Sequence, residues 1–230
     1  MHRFDTRLAR KIACAAVAVP VLLLAGCSSD DSGGDEGGGD ESKAPTPSKS
    51  ASAAPVKFKQ LPDPCKTLPK GTVEDVVPGA DDKGKNLAST DTESYGSCLW
   101  SGGSGKNDAD YRALTVSLKR YESGASLGSG DTQAGRFLKQ EAGAVSGDED
   151  NKKAKESPVS GIGQEGVSIG YETKKKDQEY RVNRTVVRTY NVVVTVDYEG
   201  TGFEGADLPG ADELKKSGEK IAREAVSAVK

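Results

Sequence analysis

Residues 179–198 read EYRVNRTVVRTYNVVVTVDY, and this stretch decides the fold. Its two halves, residues 179–189 and 190–198, are rich in the β-branched and aromatic residues that are typical of strands. The second half carries valines at alternate positions, namely Val192, Val194 and Val196. Such alternation predicts a strand with one apolar face. The short connection between the two halves favours antiparallel pairing.

Further strands are predicted where apolar residues alternate or cluster, at residues 97–100, 111–121 and 167–171. Residues 131–145 and 211–229 carry apolar side chains at helical spacing and predict two longer helices.

Residues 68–77 predict a short N-terminal helix with Thr67 as its N-cap, while residues 80–94 and the charged residues 147–157 are expected to be loops. The order of these elements predicts an α+β fold. In that fold an antiparallel sheet of about five strands packs with the two longer helices and the short one.

The N-terminus predicts export and lipidation. Basic residues precede an apolar run at residues 12–25, which is too short to cross a bilayer as a helix. The run ends in Leu24, Ala25, Gly26 and Cys27, the pattern of a bacterial lipobox. We therefore expect residues 1–26 to be a lipoprotein signal peptide and Cys27 to carry the lipid. The protein would then be anchored, extracytoplasmic, on the outer face of the cell membrane.

Residues 28–56 consist mainly of Gly, Ser, Asp, Pro and Ala, with six acidic side chains against two lysines. Such a segment buries too little apolar surface to offset the entropy of ordering it. Residues 27–56 are therefore expected to form a lipidated, disordered tether. Residues 57–230 are long enough for a single α+β globular domain.

Two cysteines, Cys65 and Cys98, remain once Cys14 leaves with the signal and Cys27 takes the lipid. An even pair in an oxidising compartment predicts a disulfide, and a reactive thiol pair is the alternative. If the disulfide forms, Trp100 is expected to pack near its sulfur atoms. Residues 57–230 have a net charge near −2, and a nearly balanced domain gives no reason to expect nucleic acid as a partner.

Two motifs resemble ligand sites, but their context argues against both. Residues 161–166 read GIGQEG, yet a proline precedes them and a strand pattern follows, whereas a dinucleotide site needs a strand and then a helix. Residues 148–151, DEDN, lack the ligand spacing of a calcium loop. No cofactor and no metal are therefore expected. His2 is the sole histidine and lies in the predicted signal, which excludes His-dependent catalytic triads in the mature chain.

Arg184 and Arg188 share one face of a predicted strand with Val186. Either they pair with acidic side chains on the same sheet face, or they bind an anionic ligand or a lipid headgroup.

The sequences LPDPC at residues 61–65 and SCLWS at residues 97–101 are similar to motifs of an actinobacterial lipoprotein family, domain of unknown function 3558. The glycine turn at residues 161–166, the valine-rich strand and the last helix extend the resemblance over most of residues 61–230. The resemblance implies secretion, lipidation and a disulfide between Cys65 and Cys98. It implies no activity.

Together these features predict a non-enzymatic binding or interaction module of the cell envelope. Its partners would be the membrane, through the lipid at Cys27, and an unknown envelope protein or a small amphiphilic ligand. The alternative is a carboxylate-dependent hydrolase that acts on an envelope polymer or lipid. Two facing carboxylates, one of them desolvated, would favour the hydrolase. The sequence leaves the oligomeric state open.

Overall fold

One antiparallel sheet organises the part of the chain that the structure describes. The computed structural model describes residues 53–87, 89–106 and 109–230. Its strands are β1 (Lys85–Asn86), β2 (Tyr95–Ser104), β3 (Asp110–Arg120), β4 (Lys152–Pro158), β5 (Glu165–Lys175), β6 (Gln178–Thr189) and β7 (Val192–Gly202). Their order across the sheet is β1-β2-β3-β7-β6-β5-β4. The antiparallel sheet and the helices around it confirm the predicted α+β class.

The helices are α1 (Lys70–Val76), α2 (Gly130–Gly147) and α3 (Ala211–Ala228), and a 3-10 turn covers Pro64–Lys66. The helix α2 begins after Ser129, whose hydroxyl accepts a hydrogen bond from the backbone N–H of Thr132 and so caps the helix. As predicted, α2 and α3 are the two longer helices. No helix in the described segments is both long and apolar enough to cross a membrane.

The sheet has seven strands because two short or charged segments also pair. Residues 147–157 were expected to be a loop, which is wrong from residue 152 onward, because Lys152–Pro158 forms the edge strand β4. Its side chains are mostly exposed, and its pairing depends on backbone hydrogen bonds to β5. Likewise Lys85–Asn86, within the expected loop 80–94, pairs with β2 at the other edge. Neither strand buries enough apolar surface to leave an alternating pattern.

The predicted start of the first helix is wrong. Thr67 does not cap it, because the Thr67 hydroxyl donates to the carbonyl of Pro64, 2.8 Å away, and closes the 3-10 turn. Asp63 caps that turn instead, since its carboxylate accepts from the N–H of Cys65. The helix α1 therefore begins at Lys70, after an extended Pro69.

Two apolar clusters hold the helices on opposite faces of the sheet. On one face, the side chains of β2, β3 and β7 pack with α1 and with Leu214 and Ile221 of α3. On the other face, Leu138 of α2 packs on Val186 and Val193. On the face that α3 covers, the side chains of β2, β3 and β7 are apolar. The helix α3 packs on β7, β6 and β5, and it meets polar side chains on β6 and β5. The candidate site lies where the side chains on this face change from apolar to polar.

Candidate functional site: a groove between α3 and the sheet

A groove of about 490 Å³ lies between the N-terminal part of α3 and the strands β4, β5 and β6. We call it the α3 groove. Its wall and floor include Lys153, Lys155, Gly170, Arg181, Asp212 and Lys215. Its volume falls in the range of about 300–1,000 Å³ that is typical of small-molecule sites.

The floor of the α3 groove is a row of three residues, one from each strand. The register aligns Lys155 of β4 with Gly170 of β5, and Gly170 with Asn183 of β6. A Cβ atom placed on Gly170 would meet no heavy atom within 4 Å. The missing side chain therefore leaves open space above the sheet at the centre of the groove.

Buried polar side chains lie beside this floor. Asn183 is 2% exposed, and Ser168 and Thr185 are fully buried. The amide of Asn183 donates to the hydroxyl of Ser168 at 2.8 Å and accepts from the hydroxyl of Thr185 at 2.9 Å. Because these hydrogen bonds satisfy the buried polar groups, their burial costs little free energy. The same bonds hold the Asn183 amide in one orientation.

The helix α3 lies directly on this polar row. A Cβ atom on Gly218 would come within 2.5 Å of the side-chain oxygen of Asn183. Gly218 therefore allows α3 to approach β6 closely. Further toward its N-terminus the helix forms the wall of the groove through Asp212 and Lys215.

An ion-pair cluster closes one end of the groove. The Arg181 guanidinium donates to Glu172 Oε1 at 2.7 Å and to the carbonyl of Pro209 at 2.5 Å, and Lys153 Nζ lies 2.7 Å from Glu172 Oε2. Hydrogen bonds from Lys153 and Arg181 lower the pKa of the Glu172 carboxyl below its usual value. The cluster links β4, β5 and β6 to the segment that leads into α3.

The remaining charges make the groove basic. Among the described residues, no carboxylate lies within 4.0 Å of Lys155 Nζ, and Lys215 pairs only with Glu219 on its own helix, at 3.9 Å. The N-terminal end of α3 adds little to this charge, because Asp212 and Glu213 in its first turn offset the positive end of the dipole. Glu172 is already neutralised by two cations. The arrangement therefore favours a ligand group that carries negative charge.

The structure confirms the predicted disulfide. Cys65 and Cys98 are bonded, with Cα atoms 5.1 Å apart, so the alternative of a free thiol pair is wrong. A Cβ atom on Gly84 would lie 2.6 Å from Cys98 Sγ and 2.7 Å from the Trp100 ring. Trp100 therefore lies close to Cys98 Sγ, as the sequence predicts. Cys27, the predicted lipidation site, lies outside the described residues, as does the signal peptide.

Arg184 and Arg188 pair with acidic side chains, which is the first of the two interpretations of the sequence. Arg184 binds Asp197 through two hydrogen bonds of 2.5 and 3.0 Å and lies 3.3 Å from Glu141 of α2. Burial opposes the charge of Arg184, but Asp197 outweighs that effect and raises the pKa of the guanidinium. Arg188 lies 3.5 Å from Glu165. Both arginines hold the sheet face that α2 covers.

The two motifs that suggest ligands have structural roles. Gly161 and Gly163 have φ angles of 72° and 61°, and they form the turn that leads from β4 into β5. A strand rather than a helix follows, so the dinucleotide geometry does not arise. Residues 148–151 form the turn between α2 and β4, where the Asp148 carboxylate accepts from the N–H of Asp150. Within the described segments no three His, Cys, Asp or Glu side chains are grouped closely enough to hold a metal.

The α3 groove is not apparent from the sequence alone. Two signals for it exist in hindsight. The segment that contains Lys153 and Lys155 is rich in lysine, and Gly170 interrupts the alternation of the strand that contains Ile169 and Tyr171. Neither signal brings the two strands together without the register.

A second depression, of about 550 Å³, lies on the other side of β4, between α2 and the β4–β5 edge. Its charged side chains are Lys139, Glu156 and Glu165. It has neither a basic surplus nor a floor of buried polar groups. We therefore take the α3 groove as the candidate site.

One protein family matches most of the sequence. No curated protein matches its sequence. Among solved structures it is similar to the crystal structure of LpqN, involved in cell envelope biogenesis of Mycobacterium tuberculosis. The identity is 13% and the TM-score 0.33, over 64% of this chain and 79% of that chain. Residues 22–199 match the family described as "Protein of unknown function (DUF3558)". This match spans β1 to β6 and most of β7, and it covers well over half of the sequence. The chain therefore belongs to the DUF3558 family.

Proposed function

We propose that this protein is a non-catalytic binding module of the cell envelope, anchored on the outer face of the membrane, and that its ligand carries an anionic group into the α3 groove. The observation that carries the proposal is the row of Lys155, Gly170 and Asn183. It combines open space above Gly170 with a cation, Lys155, that no carboxylate among the described residues pairs.

The compartment rests on two features of the chain. The lipobox predicts export and an anchor at Cys27. The disulfide between Cys65 and Cys98 is typical of proteins that mature in an oxidising environment.

Local charge supports an anionic ligand. The whole chain has a net charge of −3, yet the α3 groove brings four cationic side chains together against Glu172 and Asp212. A basic groove on an acidic protein attracts anions locally without attracting nucleic acid to the whole surface. An amphiphile with a phosphate, sulfate or carboxylate headgroup fits this description.

The pKa of Glu172 favours binding over hydrolysis. A carboxylate-dependent hydrolase needs a general acid, a carboxyl group whose pKa is raised so that it keeps its proton near neutral pH. Glu172 has the opposite shift, because Lys153 and Arg181 stabilise its ionised form. In the α3 groove Glu172 therefore acts as a structural counter-ion.

Filling the groove tests the proposal. Gly170→Leu puts a side chain into open space, and the matched control Gly71→Leu does the same on the exposed surface of α1. Each chain is purified from its own membranes, and its bound small molecules are identified by mass spectrometry. We expect one class of anionic molecule with the natural chain and with Gly71→Leu, and its loss with Gly170→Leu. The same molecules at the same level on all three chains would contradict the proposal.

A further inference from the structure

All three exposed large hydrophobic side chains in the described segments lie at one end of the sheet. They are Tyr95, Leu127 and Tyr190, which are 37%, 60% and 41% exposed. Tyr95 begins β2, Leu127 lies in the loop after β3, and Tyr190 lies in the turn between β6 and β7. Because the strands are antiparallel, these positions lie at the same end of the sheet. We call it the Tyr190 end.

The N-terminal part of the described chain is fixed at the Tyr190 end. Phe58 donates its backbone N–H to the side-chain oxygen of Asn191 at 2.9 Å, and the Asn191 amide donates to the Phe58 carbonyl at 2.9 Å. The same amide donates to the carbonyl of Tyr121 at 3.0 Å. Asn191 is fully buried. The segment predicted to be the tether therefore joins the domain here.

The loop that carries Leu127 is held in place by the backbone. Gly124 and Gly128 exchange two backbone hydrogen bonds, of 3.0 and 2.9 Å. The Arg136 guanidinium donates to the carbonyl of Leu127. Leu127 is thus presented to solvent by a closed loop.

Lysines lie over the aromatic rings at this end. Lys57 Nζ is 5.6 Å from the centre of the Tyr190 ring. Lys119 Nζ is 4.2 Å from the Phe137 ring and is paired in register with Tyr95. Tyrosine and lysine side chains have an apolar body and a polar end. Such side chains are favourable in the headgroup region of a bilayer, which is apolar on one side and hydrated on the other.

The α3 groove lies toward the opposite end of the sheet. Arg181, which lines the groove, pairs with Gly200 near the last residue of β7, whereas the Tyr190 end contains the first residue of β7. A surface that contacts the Tyr190 end leaves the groove open.

From this geometry we propose that the Tyr190 end is a membrane-contact surface. Tyr95, Leu127 and Tyr190 enter the headgroup region of a bilayer that contains anionic lipids, and Lys57 and Lys119 lie near the phosphates. As a flexible chain, the tether expected at residues 27–56 would reach roughly 30 Å. A lipid at Cys27 would therefore keep the surface within reach of the bilayer. The inference does not depend on the ligand of the α3 groove.

Site-specific labelling tests this orientation. Leu127→Cys introduces a thiol at the Tyr190 end, and Lys176→Cys introduces one in the β5–β6 turn at the opposite end. Cys65 and Cys98 are bonded and do not react with the label. The full chain, purified from membranes, carries an environment-sensitive dye at one of the two positions. It is then mixed with excess vesicles of phosphatidylcholine and phosphatidylglycerol that contain bromine-labelled acyl chains.

We expect the dye at residue 127 to be quenched several-fold more strongly than the dye at residue 176, and the difference to shrink without phosphatidylglycerol. Equal quenching, or stronger quenching at residue 176, would overturn the proposed surface. A difference unchanged in neutral vesicles would overturn the role of the lysines. The mass of the purified chain shows separately whether Cys27 is lipidated, so a missing anchor is not mistaken for a wrong surface.

Discussion

Two glycines set the shape of the α3 groove in opposite ways. Gly170 leaves space, because a Cβ there meets no atom within 4 Å. Gly218 removes space, because its missing side chain lets α3 rest on Asn183. The groove is open at Gly170, where no side chain fills the space above β5. It ends at Gly218, where α3 packs closely against β6.

Glu172 should make stability depend on pH in the acid range. Its pKa is lowered in the folded protein, so the ionised carboxylate stabilises the fold above its usual pKa of 4.5. That contribution is lost as the pH falls through the lower folded value. We expect Glu172→Gln to lower the free energy of unfolding at neutral pH and to flatten its acid dependence. Urea unfolding between about pH 3 and 7 measures both effects. Parallel pH profiles for the two proteins would contradict this role.

The edge strand β4 explains why the groove has a basic side. Its exposed lysines protect the sheet edge against pairing with another chain, which is a common use of lysine on edge strands. Lys155 lies on the face that α3 shares, because it pairs with Gly170, and Lys153 lines the same groove from beyond the register shift between Lys152 and Lys155. One short strand thus protects an edge and supplies cations to the groove.

The packing of α3 on β6 gives a second prediction. Gly218→Ala places a Cβ within 2.5 Å of the Asn183 side chain, so the helix must shift. Overpacking of this kind costs about 1–3 kcal/mol. Gly143→Ala in α2 is the matched control, because a Cβ there meets nothing within 4 Å. The control should gain about 0.5–1 kcal/mol from helix propensity. Urea unfolding compares the two, and equal effects would show that α3 does not depend on the close approach.

The sequence predicts correctly the elements that bury apolar side chains at regular spacing. The helix α3 and the hairpin β6–β7 were predicted because their buried side chains recur at regular spacing. The strand β4 was missed because its residues, KKAKESP, pair through the backbone and bury little. The groove was missed because Lys155, Gly170 and Asn183 become neighbours only through strand register, which a single sequence does not specify.

The disulfide ties the N-terminal segment to the sheet. Cys65 lies in the 3-10 turn, and Cys98 is a fully buried residue of β2. The two cysteines are 33 residues apart in sequence. The chain-entropy model gives about 3–4 kcal/mol for a loop of this size. We expect Cys65→Ala with Cys98→Ala to lower the free energy of unfolding by about that amount and to leave the β-sheet circular dichroism recognisable, because β4 to β7 lie beyond the bridge. Loss of the sheet signal would mean that the bridge is needed for the fold itself.

The two proposed surfaces lie at opposite ends of the sheet. The Tyr190 end carries the exposed hydrophobic side chains and the junction with the predicted tether, and the α3 groove is directed the other way. A protein held this way at the membrane would present its groove to the space outside the cell membrane.

The most direct test of ligand binding in the α3 groove is the structure of the chain purified from its own membranes with its ligand retained. We predict density between α3 and β5, with an anionic group of the ligand at hydrogen-bonding distance from Lys155 and above Gly170. A ligand bound at another surface, with only solvent in the α3 groove, would contradict this prediction.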